Sequence, residues 1–176
     1  MKTPLLGLTL PELAQALAPL ARERFRAAQV QRWMTERRAR SFDEMTDLPA
    51  PLRAALGERF VVGLPEVEAR TPSDDGAEKF LFRLADGAKV EAVYIPAPRR
   101  RASGGGERVT VCVSSQAGCA LACAFCVTGR MGAGRNLSAG EILGQYLVVA
   151  REKGFGPRAA NVVFMGMGEP LLNVAN

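Results

Sequence analysis

Val109-Thr-Val-Cys-Val-Ser-Ser-Gln-Ala-Gly-Cys-Ala-Leu-Ala-Cys-Ala-Phe-Cys126 is the stretch on which the fold turns. Its first seven residues, 109–115, are β-branched or small and predict a strand. The following residues crowd Gly118 and three cysteines into a loop. Downstream, residues 138–153 predict a helix opened by a capping box of Ser138 and Glu141. Residues 161–167 (NVVFMGM) then give a second apolar strand. Strand, crossover helix and apolar strand make a β–α–β unit with a parallel pairing, so the fold class is α/β. Parallel sheets carry their chemistry in the loops after their strands, which is where the cysteines stand. One and a half such units cannot close a barrel, so the expected architecture is an incomplete one.

Outward from this unit the pattern changes twice. Residues 78–84 and 88–95 alternate around Ala85-Asp86-Gly87, which predicts a β-hairpin with positive φ at Gly87. Residues 96–107 (PAPRRRASGGGE) are Pro-, Arg- and Gly-rich and read as a connection. Residues 9–60 read as a small helical module. One helix runs from Thr9 or Leu10 to Leu17, and another covers roughly residues 22–35, with Phe25, Val30 and Trp33 near one face. Ser41, Phe42, Asp43 and Glu44 resemble a capping box before a short helix, and Pro51 introduces another over 50–60. Three segments follow: 1–62 helical, 63–107 hairpin and connection, 108–176 the start of the α/β core. The arginines of the module (Arg22, Arg24, Arg26, Arg32, Arg37, Arg38, Arg40) read either as a solvated helix face or as a phosphate-contacting one.

The chain has 176 residues, 48% of them apolar, with a formal net charge of +5. The charge suits a polyanionic partner better than a cationic one. No histidine is present. Histidine acid–base catalysis and histidine metal ligation are therefore excluded, and a soft-metal site has to be thiolate. All four cysteines fall between positions 112 and 126. That clustering points to metal or redox chemistry in a reducing compartment rather than a disulfide framework. Pro4, Pro11 and Glu12 interrupt the N-terminal apolar run, so neither a signal peptide nor a membrane span is expected, and the localisation expected is cytoplasmic.

Cys119, Cys123 and Cys126 form a C-x3-C-x2-C triplet. Three thiolates within eight residues can hold one corner of a cubane 4Fe–4S cluster and leave one iron without a protein ligand. A structural zinc site is the main alternative; it needs a fourth ligand, for which only Cys112 is available. A redox C-x-x-C pair at Cys123 and Cys126 is another. Gly166-Met-Gly-Glu-Pro170 ends the second apolar strand. Its glycines allow close backbone approach to a ligand, and Glu169 can accept from an ammonium group.

These two motifs in this order resemble the radical S-adenosylmethionine (SAM) superfamily. The likeness is finer still. Residues 25–34 (FRAAQVQRWM), 42–49 (FDEMTDLP), 90–96 (VEAVYIP), 112–119 (CVSSQAGC) and 165–172 are similar to the RNA adenine carbon-2 methyltransferase family, the 96–107 insert being the main departure. The resemblance implies a partial (β/α) barrel with a 4Fe–4S cluster on Cys119, Cys123 and Cys126, and SAM at Gly168 and Glu169. It implies that Glu91 is the proton acceptor and that Cys112 is the thiol forming a disulfide with a methyl-carrying cysteine. It also implies 23S rRNA and tRNA as substrates, a flavodoxin-type electron donor and a monomer. No counterpart of the methyl-carrying cysteine lies within these residues, so turnover by this chain alone is not expected. Three other readings stay open: a carbon-8 adenine methylase of the same superfamily, a non-catalytic RNA-binding module with a structural metal, and a radical SAM enzyme with another substrate.

Overall fold

A computed structural model describes residues 2–21, 23, 25–97, 108–156 and 160–176. Most of the Arg/Gly-rich connection, together with Arg22 and Arg24, lies outside the described residues.

Thr9 opens helix α1 (Leu10–Leu17): Glu12 accepts from the Thr9 N–H at 2.8 Å and from its hydroxyl at 2.6 Å. Pro11 fits the first turn, where its missing N–H has no partner to lose. Helix α2 (Phe25–Thr35) buries Ala27, Val30, Trp33 and Met34. Phe25 departs from the expected face. It is 56% exposed, because five positions from Val30 rotate it roughly 140° around the helix. The guanidinium of Arg26 lies 4.7 Å from its ring centre. The expected capping box at Ser41 is also corrected: residues Phe42–Glu44 form a 3₁₀ turn with no side-chain cap bond. Glu44 instead accepts from the backbone of Arg40 and from Arg151. Helix α3 (Ala50–Arg59) follows, and the short strands β1 (Thr3–Pro4) and β2 (Phe60–Val61) pair in parallel to close the module.

The second part is a five-stranded mixed sheet in the order β3-β4-β5-β6-β9. Strands β3 (Glu66–Pro72), β4 (Glu78–Arg83) and β5 (Lys89–Ile95) form an antiparallel meander. The β4–β5 turn places Gly87 at φ +86 as expected. Strand β5 pairs antiparallel with β6 (Val109–Cys112), and β6 pairs in parallel with β9 (Ala160–Val163) across helix α5 (Ala139–Lys153). The hairpin and the β–α–β unit therefore share one sheet. Both core strands are shorter than expected. Past Val113 and Val163 the backbone leaves the ladder, and the Gly166 N–H turns back to donate to the Val113 carbonyl at 3.2 Å. Between β6 and α5 lie β7 (Gln116–Ala117), the single helical turn α4 (Val127–Arg130) and β8 (Arg135–Asn136).

One face of the sheet packs on α5. Phe80, Phe82, Val90, Val111, Val148 and Val149 are buried there. Each large apolar side chain so buried contributes about 1.5–3 kcal/mol. Helix α5 also sends Leu147 into the core of the helical module, so it belongs to both cores.

Candidate functional site

The pairing register sorts the predicted residues by face. Val93 lies directly opposite Cys112, and Leu81 opposite Glu91. Directly opposed residues share a face, and alternate residues along a strand do too. Glu91, Val93 and Cys112 therefore sit on the face away from α5, whereas Val90, Ala92 and Val111 face the helix. The Glu91 carboxylate pairs with the Lys79 ammonium at 2.9 Å on that face. Cys112 is buried, and burial pushes its thiol above the usual cysteine range, against a weaker opposing pull from the Met165 N–H.

The three loop cysteines follow the end of β6. Cys119 is buried and its N–H donates to the Gly132 carbonyl at 2.9 Å; Cys123 and Cys126 are half-exposed. The Cys126 N–H donates to the Cys123 carbonyl at 3.0 Å, folding the loop back on itself. The backbone N–H of Gly129 first, and then the Thr128 donors, hold the Cys126 thiol below its ordinary value. All four cysteines are free. Among the described residues no three His, Cys, Asp or Glu side chains converge on a point that could hold a metal. The loop thus supplies three thiols without focusing them. The donor set nonetheless fits a cubane cluster: three free thiols within eight residues, no disulfide competing for them, and a lowered thiol at Cys126.

Gly166, Met167, Gly168 and Glu169 lie against the start of this loop. A β-carbon on Gly166 would stand 2.8 Å from Ser114 Oγ and from the Val113 carbonyl oxygen. Gly168 adopts φ +96, and a β-carbon there would stand 2.5 Å from Gln116 Cβ. Only glycine satisfies both conditions. The Glu169 carboxylate accepts from the Leu171 N–H at 3.0 Å and caps the 3₁₀ turn Pro170–Leu172. The cysteine loop and the glycine turn are therefore neighbours at one end of the parallel pair, while Glu91 and Cys112 line the face that leads to them.

Sequence reasoning missed the polar residues that make this junction. Ser114 Oγ donates to the Glu91 carbonyl at 2.6 Å and accepts from the Met167 N–H at 2.9 Å. Gln145, fully buried on α5, accepts from the Ser114 N–H at 2.9 Å and donates to its carbonyl at 3.0 Å. Asn173 donates to the Ser115 and Leu137 carbonyls, both at 2.8 Å. The available signal was Gln145 itself, an amide among apolar helix positions. A groove of about 710 Å³ opens between α5 and β9 along Ile142, Tyr146 and Val162. It lies on the helix side of the sheet, is largely apolar, and ends against Pro170 and Leu171 beside the glycine turn.

Residues 3–62 match the family model of the ribosomal RNA large subunit methyltransferase N-terminal domain. The chain is 52% identical, over 96% of its length, to a dual-specificity RNA methyltransferase RlmN of Halorhodospira halophila, of which it covers 45%. It is 51% identical, over 98% of its length, to the RlmN of Nitratidesulfovibrio vulgaris, of which it covers 48%. Over nearly its whole length the chain is similar to these RlmN proteins. A radical SAM methyltransferase from Sphaerobacter thermophilus shares the fold with a TM-score of 0.85 and 41% identity; the match covers 98% of this chain and 49% of that one. The α/β core behind a helical module thus has the fold of the matched half of that radical SAM methyltransferase, and the chain spans about half the length of the curated RlmN relatives it matches. Among the described residues no helix is long and apolar enough to cross a membrane.

Proposed function

We propose that this chain is the cluster- and SAM-binding part of an RNA methyltransferase that modifies carbon 2 of an adenine in 23S rRNA and in tRNA. The observation that carries the reading is the adjacency of the three-cysteine loop and the Gly166–Pro170 turn in a chain about half identical to RlmN proteins. Cys119, Cys123 and Cys126 would hold a 4Fe–4S cluster, and Gly168 and Glu169 the amino-acid end of SAM. Together those groups supply radical chemistry at a carbon that is neither acidic nor nucleophilic. Glu91 is the proton acceptor in this reading; its ion pair with Lys79 holds the carboxylate on the sheet face that it shares with Cys112. Cys112 is the thiol that pairs with a methyl-carrying cysteine, and its burial further favours the protonated form. The target adenine has to be unstacked to reach such a site, which favours looped, single-stranded RNA. A flavodoxin-type donor supplies electrons, the protein acts as a monomer, and its compartment is the cytoplasm.

Anaerobic reconstitution with iron and sulfide, followed by SAM titration under electron paramagnetic resonance, tests the core of this reading. A reduced 4Fe–4S signal that SAM perturbs, and that Cys123→Ala abolishes, is the expected result. Zinc uptake with no iron–sulfide cluster would sink the enzyme reading.

A further inference from the structure

Gln116 joins the two halves of the candidate site. Its side chain is 4% exposed, on a two-residue strand three positions before Cys119. Gln116 Oε1 accepts from the Glu169 N–H at 2.8 Å. Gln116 Nε2 donates to Asn136 Oδ1 at 2.6 Å, and Asn136 Nδ2 donates in turn to the Leu172 carbonyl at 2.9 Å. The amide is thus held from the far side by a residue anchored on the 3₁₀ turn after Glu169. The Gln116 N–H donates to the Met167 carbonyl at 3.2 Å, and the Gln116 stem fills the space over Gly168. The contacts with Met167, Gly168 and Glu169, residues of one short turn, come from a single residue at the root of the cysteine loop.

A turn whose next N–H is fixed by a buried amide keeps its outward groups in one arrangement, and such pre-organisation is what a small ligand's affinity depends on. We propose that Gln116 is a positioning residue for SAM. Its carboxamide sets Gly168 and Glu169 relative to the cysteine loop, so that the amino-acid end of the cofactor meets both. This inference rests on the SAM-binding reading given above. Gln116 itself touches neither cofactor nor reacting atoms; it acts through the backbone of Glu169.

The test measures SAM dissociation constants by equilibrium dialysis on the anaerobically reconstituted chain, alongside iron and sulfide content and thermal midpoints. Gln116→Met keeps the stem and removes both amide contacts. It is expected to weaken SAM binding about tenfold, the worth of one well-made hydrogen bond, with iron and sulfide unchanged. Asn136→Ala leaves the acceptor for Glu169 in place but removes the hold on the amide from its far side, and is expected to weaken SAM binding up to about threefold, which reads the same role even if the Met variant fails to fold. Arg38→Met, which cuts bonds to the Ala150 and Phe155 carbonyls away from the turn, is expected to lower the thermal midpoint and leave SAM affinity within about twofold. Wild-type affinity in Gln116→Met, or losses of affinity that merely track the thermal midpoint across all three variants, would overturn the role of Gln116 alone. A wild-type chain that takes up iron and sulfide yet binds no SAM would overturn the cofactor assignment, and this inference with it.

Discussion

Gly168 shows how one position carries two constraints. Its φ of +96 disfavours any L side chain, and a β-carbon would strike Gln116. Gly87 has nearly the same φ, +86, but open space around it. The pair separates strain from collision. Gly87→Ala is expected to cost roughly 1–2 kcal/mol from the left-handed backbone alone. Gly168→Ala adds overpacking against the Gln116 stem and should cost about 1–3 kcal/mol more. Urea unfolding of both variants measures the difference, and equal losses would mean that Gln116 yields without cost. At this scale the sequence was partly legible. Cys119, Cys123, Cys126, Gly168 and Glu169 stand on neighbouring loops, as their spacing suggested. Ser114, Gln116, Gln145 and Asn173 were not legible, because a buried amide or hydroxyl looks like a surface residue until its partners, up to 58 positions away, are in place. The failure of the three thiols to converge could not be read from spacing either, since spacing limits reach and leaves side-chain direction free.

Helix α5 is the element with the most demands on it. Its first turn carries the capping box: Glu141 Oε2 accepts from the Ser138 N–H at 2.9 Å, and Ser138 Oγ accepts from the Glu141 N–H at 3.2 Å. Arg135 grips both oxygens of the same carboxylate, at 2.7 and 2.9 Å. Burial alone would raise the Glu141 carboxyl, but the bonds from Arg135 and Ser138 outweigh it and leave it below the ordinary value. At the other end Arg70, followed by Arg40, holds Glu152 low, and Arg151 does the same for Glu44. A carboxyl lowered on folding binds fewer protons in the native state than in the unfolded one. Its contribution is therefore complete above the ordinary carboxylate range and is lost as the pH falls through the lowered values. The thermal midpoint should be level above about pH 5 and fall below it. Arg135→Met should flatten part of that fall; an unchanged acid limb in the variant would remove Glu141 from the account. Among the elements, α1, α3, α5 and the β4–β5 hairpin were legible because each carries a local signal: a cap, a proline, a tight turn. Strand β3 was not, since an edge strand exposed along most of its length has no apolar alternation to read. The early end of β9 was missed for the opposite reason: residues 164–167 are apolar enough to extend a strand, yet the glycine turn requires the backbone to leave the sheet.

The whole molecule is held together where the helical module meets α5. The Leu6 carbonyl oxygen would lie 2.1 Å from a β-carbon on Gly140, so the N-terminal segment rests on the bare backbone of the first turn of α5. Farther along, Arg38 donates to the Ala150 carbonyl at 2.9 Å, which also accepts from the Gly154 N–H, and to the Phe155 carbonyl just past the helix at 2.6 Å. Gly140→Ala would gain about 1 kcal/mol of helix propensity if the helix stood alone. Here the collision with main chain decides the sign, and a net loss of about 1–3 kcal/mol is expected, read as a lower urea midpoint. A stabilised variant would mean that the two layers slide apart freely.

The same junction bears on how the chain is made. Residues 3–62 leave the ribosome first, but the surfaces they need, Gly140, Leu147, Ala150 and the Phe155 carbonyl, come much later. From residue 62 to residue 155 is 93 positions, or about 5–20 s of synthesis. During that interval the nascent module has Leu6 and Gly7 exposed and a core lacking the side chain that α5 will bring. Completion of the module is therefore expected to wait on synthesis of α5, and a pause before residue 155 is expected to prolong its exposure to proteases and chaperones.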